Sequence, residues 1–239
     1  MVFENTPVGA ATERVTKHYK GCIDRRAFMK TMLGGVFYVS NANAPHPHRD
    51  FLTGDSMAHK WTRPRTYKAA YPGSTIREIA TKCSDFLHHH SNRDFDTVLL
   101  FAGTADCLYP PGQSMRTLLF KKELDITKRT RMVNSREKCE QVCSDMQMLR
   151  DVLIKELSFK QLITIGPFPA GWLDNYELIE RVDERLSQAI PDYVILSRDF
   201  FDFENRNRLD DSWFRDNLHL NGKGYRRLER LIDTQNLPA

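Results

Sequence analysis

The amino-acid sequence predicts an α/β fold of the flavodoxin-like type, a three-layer sandwich with a central parallel sheet of about five strands. From residue 50 onward, short β-type runs alternate with helical patterns, which is typical of a parallel sheet covered by helices. The run DTVLLFAG at 96–103 is almost continuously apolar, as expected of a strand buried on both faces. With 239 residues, of which 41% are hydrophobic, the chain is long enough to bury one substantial core.

The predicted elements follow one another in the order expected for this fold. Strands are predicted at 50–54, 67–73, 96–103, 160–169 and 191–197. Amphipathic helices are predicted at 74–90, 135–157, 175–190 and 221–235, and the expected N-caps of the first two are Ser74 and Ser135. Residues 1–49 contain no clear strand–helix unit, so we expect an N-terminal extension there and a single domain over 50–239.

A long connection, residues 107–134, follows the central strand. Long connections in compact domains tend to be functional or mobile, and open α/β sheets bind ligands beyond the carboxyl ends of their strands. We therefore expect this connection to shape a ligand pocket. Basic residues are in local excess between 121 and 138. A solvated surface and a nucleic-acid contact are the two interpretations of that excess.

Charge and cysteine content do not by themselves indicate a nucleic-acid-binding, disulfide-rich or zinc-binding protein. The 35 basic and 31 acidic residues are interspersed and give a formal charge of +4, which does not by itself indicate nucleic-acid binding. The five cysteines are odd in number and include no CxxC pair, so neither a disulfide framework nor a zinc site is predicted. Because His88, His89 and His90 are consecutive and point in different directions, we expect them to end a helix rather than to bind a metal.

The apolar runs of the sequence are too short to predict a membrane protein. None approaches the roughly 18 consecutive apolar residues that a membrane span needs, so we expect a soluble, cytoplasmic protein without a transmembrane segment. Export is the alternative, because residues 24–44 resemble a twin-arginine signal, with paired arginines before a short apolar stretch and an Ala-Asn-Ala sequence. That apolar stretch is at the short limit for such a signal, and Pro45 would follow the cleavage point.

Three short motifs fall where predicted strands end or where the last helix begins. Gly-Asp-Ser at 54–56 follows the first strand, Gly-Thr-Ala-Asp at 103–106 follows the central strand, and the pattern Asp-x-x-His-x-Asn-x-x-Gly begins at residue 216. A serine hydroxyl is a poor nucleophile until an imidazole accepts its proton, and the imidazole needs a carboxylate to fix its tautomer. These three roles suit Ser56, His219 and Asp216.

The set of motifs resembles the SGNH/GDSL hydrolase superfamily over about residues 50–234. The matching positions are Gly-Asp-Ser at 54–56, Gly73 after the second strand and Asp-x-x-His at 216–219. At 103–106, Gly-Thr-Ala-Asp stands in place of the family's Gly-x-Asn-Asp. The resemblance implies that residues 50–239 form a hydrolase domain of the SGNH/GDSL type.

The resemblance also implies a chemistry. The domain would be a serine esterase, lipase or acyl-esterase that forms an acyl-enzyme on Ser56, with His219 as base and then acid and Asp216 orienting the imidazole. Its substrate would be a small-molecule or polymer-linked ester. No metal and no organic cofactor is required. The number of subunits is left open.

The predicted oxyanion hole departs from the family pattern at one position. The family holds the developing oxyanion with backbone N–H groups, here those of Ser56 and Gly73, and with the side chain of an asparagine. Ala105 occupies the asparagine position and has no side-chain donor, although Thr104 or a residue of 107–134 could replace it. Removing one such donor typically costs about 2.7–4 kcal/mol. The sequence therefore predicts a serine ester hydrolase of weakened activity, with a catalytically impaired SGNH-like module that binds protein or RNA as the alternative.

Overall fold

A five-stranded sheet lies at the centre of the computed structural model, which describes residues 50–89, 93–108, 136–168, 176–196, 200, 212–216 and 218–234. Its strands are β1 (Asp50–Gly54), β2 (Thr66–Ala70), β3 (Asp94–Phe101), β4 (Ser158–Ile165) and β5 (Tyr193–Val194). All neighbouring strands pair in parallel, in the order β2–β1–β3–β4–β5. The predicted α/β class with a flavodoxin-like parallel sheet is confirmed.

Helices connect the strands. They are α1 (Ser56–Lys60), α2 (Ile76–His88), α3 (Thr104–Leu108), α4 (Arg136–Glu156), α5 (Tyr176–Ala189) and α6 (Gly222–Thr234). The four long helices lie close to their predicted positions. The sequence does not predict α1 and α3, because five residues are too few to show helical periodicity.

A hydrophobic core lies on each face of the sheet. Val98 and Leu99 are neighbours on β3, point to opposite faces and are both fully buried. Val98 belongs to the core that includes Val142 of α4, together with side chains of α2 and α5. Leu99 belongs to the core that includes Leu228 of α6, together with side chains of α1. The central strand is therefore covered on both faces, as its apolar run predicts.

Strand register brings three strand ends to the same edge of the sheet. Gly54, the last residue of β1, pairs with Ala70 of β2 and with Phe101 of β3. The pairing continues one step beyond the strands, since Asp55 N–H donates to the Phe101 carbonyl at 3.0 Å and Tyr71 N–H donates to the Gly54 carbonyl at 2.8 Å. The segments that follow β1, β2 and β3 therefore leave the sheet side by side.

Helix α2 begins one residue later than the predicted Ser74 cap implies. Thr75 is the N-cap: its hydroxyl accepts a hydrogen bond from Glu78 N–H, and the Glu78 carboxylate accepts one from Thr75 N–H at 2.9 Å. This reciprocal pair is a capping box. Ser74 instead accepts a hydrogen bond from Lys82 Nζ at 2.7 Å. The predicted cap is wrong because two hydroxyl residues are adjacent, and only Thr75 lies three residues before a glutamate.

Several sequence predictions concern residues outside the described ranges. They are the N-terminal extension 1–49, the Ser135 cap, His90 and most of the connection 107–134. The first two residues of that connection, Cys107 and Leu108, complete α3 and are buried. No helix within the described ranges is long and apolar enough to cross a bilayer.

Gly54, between β1 and α1, has a φ of +148°, and a Cβ there would lie 1.8 Å from the Phe101 carbonyl oxygen. That oxygen is fixed by its hydrogen bond with Asp55 N–H. We expect Gly54→Ala to lower the free energy of unfolding by roughly 3 kcal/mol or more in urea titrations. Gly222→Ala is the control, because its Cβ would meet only the Arg226 guanidinium, at 3.7 Å, among the described atoms. Equal losses in the two variants would contradict the prediction.

Candidate active site

Ser56 is the first residue of α1, on the sharp turn that follows β1. Asp55 is the N-cap of this helix, and its Oδ1 accepts a hydrogen bond from Met57 N–H at 2.9 Å. The Met57 carbonyl accepts a hydrogen bond from the Tyr225 hydroxyl at 2.8 Å, which ties α1 to α6. A helix of five residues is not stable alone, so these contacts and the core below it determine where Ser56 lies.

Asp216 and His219 lie on a tight loop that precedes α6. Backbone hydrogen bonds close the loop, since Arg215 N–H donates to the His219 carbonyl at 2.8 Å and Asn221 N–H donates to the Trp213 carbonyl at 2.9 Å. Phe214 and Leu220 form an isolated antiparallel β-bridge across this loop. One segment therefore presents both the carboxylate and the imidazole, as their spacing of three residues predicts.

The remaining motif residues stabilise that loop. Asn221 Nδ2 donates to the carbonyls of Ser212 and Phe214 at 2.8 and 3.2 Å, while its Oδ1 accepts from Gly224 N–H at 3.0 Å at the start of α6. A Cβ on Gly224 would lie 2.4 Å from the Trp213 carbonyl oxygen. The pattern Asp-x-x-His-x-Asn-x-x-Gly thus includes two residues that shape the loop and two that carry functional groups.

The structure brings Ser56, His219 and Asp216 together. The distance from Ser56 Oγ to His219 Nε2 is 3.1 Å, and the distance from His219 Nδ1 to Asp216 Oδ2 is 3.0 Å. With the proton of the neutral imidazole on Nδ1, that atom donates to the carboxylate and Nε2 accepts from the serine hydroxyl. These contacts are the hydrogen-bond geometry of a serine nucleophile, its base and the carboxylate that orients the base.

Asp216 is held in its ionised form. Partial burial by itself raises the pKa of this carboxyl group, but hydrogen bonds from the His219 side chain and from the backbone N–H groups of His219 and Leu218 outweigh it. The net result is a pKa lowered to about 2. A negative charge therefore faces the imidazole throughout the neutral pH range.

Gly73 lies in a β-turn that follows β2. Ser74 N–H donates to the Tyr71 carbonyl at 3.1 Å, and Pro72 and Gly73 are the central residues, with a φ of +72° at Gly73. This is the residue pattern of a type II turn, which needs a positive φ at its second central position. Within the described ranges, neither Gly73 N–H nor Ser56 N–H makes a hydrogen bond. Both N–H groups of the predicted oxyanion hole are therefore available as hydrogen-bond donors.

Ala105 lies in the first turn of α3 and is 5% exposed. Thr104, one of the two suggested replacements for the missing asparagine, does not fit that role. Its side chain is buried, hydrogen-bonds to the Asp55 carboxylate and accepts a hydrogen bond from Phe168 N–H at 3.4 Å. The other suggested source of a donor, the connection 107–134, lies mostly outside the described residues.

Asp106 lies next to Ala105 on α3, beside the candidate site, although the sequence motifs assign it no role. Its Oδ2 accepts a hydrogen bond from Ile76 N–H at 2.9 Å, at the start of α2 and just beyond the Gly73 turn. Burial raises the pKa of Asp106 to about 7, and burial likewise raises the pKa of Asp55 to about 6. The signal for Asp106 was its position, since a carboxylate that closely follows a buried strand must find donors on a neighbouring segment.

His88 and His89 lie at the end of α2, as predicted. The Nδ1 atoms of the two rings lie 2.7 Å from the carbonyl oxygens of Ser84 and Asp85, one helical turn back. Their partners are thus backbone carbonyls at the end of the helix, where cationic or donor side chains are favourable.

Comparison with known proteins finds similarity in structure. No family model matches the chain, and no curated protein matches it in sequence. A Bacteroides fragilis NCTC 9343 protein classed as an acylhydrolase superposes with a TM-score of 0.55 at 15% identity, covering 80% of this chain and 89% of that one. A Streptococcus pneumonia protein classed as a platelet activating factor superposes with a TM-score of 0.52 at 13% identity, covering 94% and 97%. A lipolytic G-D-S-L family member of Veillonella parvula DSM 2008 gives 0.49 at 11% identity, covering 80% and 98%.

At such low identity, the first two superpositions establish a common fold and leave activity to be argued from the site. The strand order and the covering helices agree with the architecture that the motifs imply. The chain therefore shares the fold of these two proteins, and this fold is the α/β architecture with a central parallel sheet that the sequence predicts.

The lowered pKa of Asp216 links stability to pH. A carboxyl group whose pKa is lowered on folding contributes stability above its ordinary value of 3.8 and loses that contribution as the pH falls through about 2. We expect Asp216→Asn to have a lower Tm than the wild type at pH values above that range, and the difference to shrink as the pH falls from about 4 to about 2. Because this side chain is 50% exposed, solvent screening should keep the difference below about 4 °C.

The control for this measurement is Asp233→Asn, which removes an exposed carboxylate of α6. Its Tm should stay close to that of the wild type, because this side chain is exposed. A difference between Asp216→Asn and wild type that stays constant down to the lowest pH would show that Asp216 is not held ionised by its contacts.

Proposed function

We propose that the chain is a serine ester hydrolase of the SGNH/GDSL type, with a hydrolase domain over residues 50–239, that acts through an acyl-enzyme on Ser56. The observation that carries the proposal is the 3.1 Å contact of Ser56 Oγ with His219 Nε2, on an imidazole whose other nitrogen faces Asp216 at 3.0 Å. A serine hydroxyl in hydrogen-bond contact with an oriented imidazole is an activated nucleophile. The substrate class is a small-molecule or polymer-linked ester, and the reaction needs no cofactor.

In the proposed reaction, Ser56 Oγ attacks the acyl carbonyl while its proton passes to His219 Nε2. Protonated His219 then gives that proton to the departing alkoxide, which leaves the acyl group on Ser56. Water, deprotonated by His219, releases the acid product and restores the serine hydroxyl. Asp216 accepts from Nδ1–H throughout and stabilises the imidazolium, because its lowered pKa keeps it negative.

The proposed oxyanion hole has two of the three donors of the family. The N–H groups of Ser56 and Gly73 would face the developing negative charge, while Ala105 supplies no side-chain donor. A missing donor typically costs about 2.7–4 kcal/mol, or roughly a hundred- to a thousandfold in rate. We therefore propose an enzyme whose turnover is slow relative to a site with all three donors.

A fluorophosphonate probe and a short-chain p-nitrophenyl ester test the nucleophile. We expect wild type to be labelled and to hydrolyse the ester, and Ser56→Ala to lose both, because the phosphonate bonds to an activated serine oxygen. Ser144→Ala is the matched control: Ser144 is an exposed serine on α4, so its removal should leave labelling and turnover unchanged.

Absence of both labelling and turnover in folded wild-type protein would overturn the proposed activity. That result would favour an SGNH-like module that binds a protein or RNA partner without cleaving esters. Labelling that persists in Ser56→Ala would place the nucleophile elsewhere in the chain.

Ala105→Asn tests whether the site lacks only the third donor. An asparagine amide aimed at the oxyanion strengthens binding of the transition state alone, so we expect kcat to rise about tenfold or more with KM little changed. Ala105→Leu is the control, since it adds a side chain of similar size without a donor. No rise in a well-folded Ala105→Asn variant would contradict a two-donor oxyanion hole. An equal rise in Ala105→Leu would trace the effect to packing.

A further inference from the structure

We propose that Asp55 is a positioning residue for the reaction, whose two carboxylate oxygens hold the Ser56 helix and the Ala105 segment in fixed register. This inference rests on the proposed function, because it assigns a role within the same site. Asp55 does not touch the reacting atoms and acts through the two segments that it joins. The sequence motifs do not by themselves assign Asp55 a catalytic role.

The first arm of the carboxylate holds the nucleophile. Oδ1 accepts a hydrogen bond from Met57 N–H at 2.9 Å and caps α1. Because Ser56 is the residue between Asp55 and Met57, this bond fixes the backbone on both sides of the nucleophile. The Asp55 backbone N–H is itself bonded to the Phe101 carbonyl at 3.0 Å, so the cap is anchored to β3.

The second arm holds the segment of the predicted third donor. Oδ2 accepts a hydrogen bond from Thr104 N–H at 3.1 Å, and the Thr104 hydroxyl also bonds to this carboxylate. Thr104 is the residue directly before Ala105, at the start of α3. The same hydroxyl accepts from Phe168 N–H beyond the end of β4, which extends the connection from β1 and β3 to β4.

Two short helices need such a clamp more than long ones do. Helices α1 and α3 have five residues each, which is too few for independent stability. Nucleophile and oxyanion donors must keep a fixed separation, and an error of about 1 Å can cost roughly a hundredfold in rate. A buried carboxylate that bonds to both segments supplies that constraint.

Asp55 is 1% exposed, so its bonds do not compete with water. Burial raises its pKa to about 6, and the titratable groups that face it are His219 from the loop before α6, Asp106 from α3 and Tyr225 from α6. Protonation of one oxygen removes an acceptor, so an acidic medium should release one arm of the clamp. Activity at low pH should therefore depend on the protonation of Asp55.

Three substitutions separate the two arms. Asp55→Asn and Asp55→Ser both keep an oxygen that can cap α1, but neither presents a second acceptor to Thr104 N–H. Asp55→Ala removes both arms. Asp145→Asn is the matched control, because it makes the same Asp-to-Asn change at a buried carboxylate of α4 that pairs with Arg77 of α2. Both of these helices pack on the face of the sheet opposite to α1.

We expect kcat on the p-nitrophenyl ester to fall roughly ten- to a hundredfold in Asp55→Asn and in Asp55→Ser, with KM changed less than about twofold. Asp145→Asn should keep the kcat of wild type. On the acid side, log(kcat/KM) should fall more steeply with decreasing pH in wild type than in Asp55→Ser, because only wild type has the Asp55 carboxyl group to protonate. In Asp55→Asn and Asp55→Ser, which keep the cap of α1, hydrogen–deuterium exchange should become faster at residues 103–108 and remain slow at residues 56–60.

Several results would overturn the inference. If Asp55→Asn and Asp55→Ser kept the kcat of wild type and only Asp55→Ala lost it, the carboxylate would serve as a helix cap alone. Unchanged exchange at 103–108 would show that Oδ2 does not hold Thr104. If wild type itself were neither labelled by fluorophosphonate nor active, the proposed function would fail and this inference with it, a result distinct from active wild type with active Asp55 variants.

Discussion

The parallel pairing of β1 with both β2 and β3 is the constraint on which the site depends. Because Gly54 pairs with Ala70 on one side and Phe101 on the other, the three chain segments that follow these strands start side by side at the same edge of the sheet. Each of those segments carries one part of the predicted chemistry: the serine, the turn glycine and the position of the third donor. The side chain of Asp55 then adds hydrogen bonds to this shared edge, and the loop before α6 closes over it.

The sequence predicts well those features whose causes are local. The apolar run that becomes β3 and the amphipathic repeat that becomes α4 depend on neighbours a few residues apart, so their periodicity is sufficient. The contact between Ser56 and His219 joins residues 163 positions apart, and the sequence suggests it only through the order of its motifs. The choice between Ser74 and Thr75 as cap, and the engagement of Thr104 with Asp55, depend on which donors the tertiary fold brings near. Local patterns do not contain that information.

The residues of the candidate site contribute to it in different ways. Asn221 and Gly224 shape a loop, Asp216 supplies a negative charge, and Ala105 has no side-chain donor. Loop geometry and charge are retained here together with the serine–histidine contact. In the proposed enzyme, the activation of the nucleophile and the stabilisation of the transition state are therefore separable properties of one site, and only the second is reduced by the missing donor.

The loop before α6 carries both Asp216 and His219, so the carboxylate and the imidazole form one local unit, while Ser56 lies 163 positions before His219. During synthesis on the ribosome, β1 and the serine turn emerge early, and a nascent chain can complete the first three strands without any imidazole at the nucleophile. The serine hydroxyl remains an ordinary alcohol in that state. In the proposed enzyme, Ser56 can therefore be activated only once the loop that carries His219 lies against α1, which requires nearly the whole domain to have been synthesised.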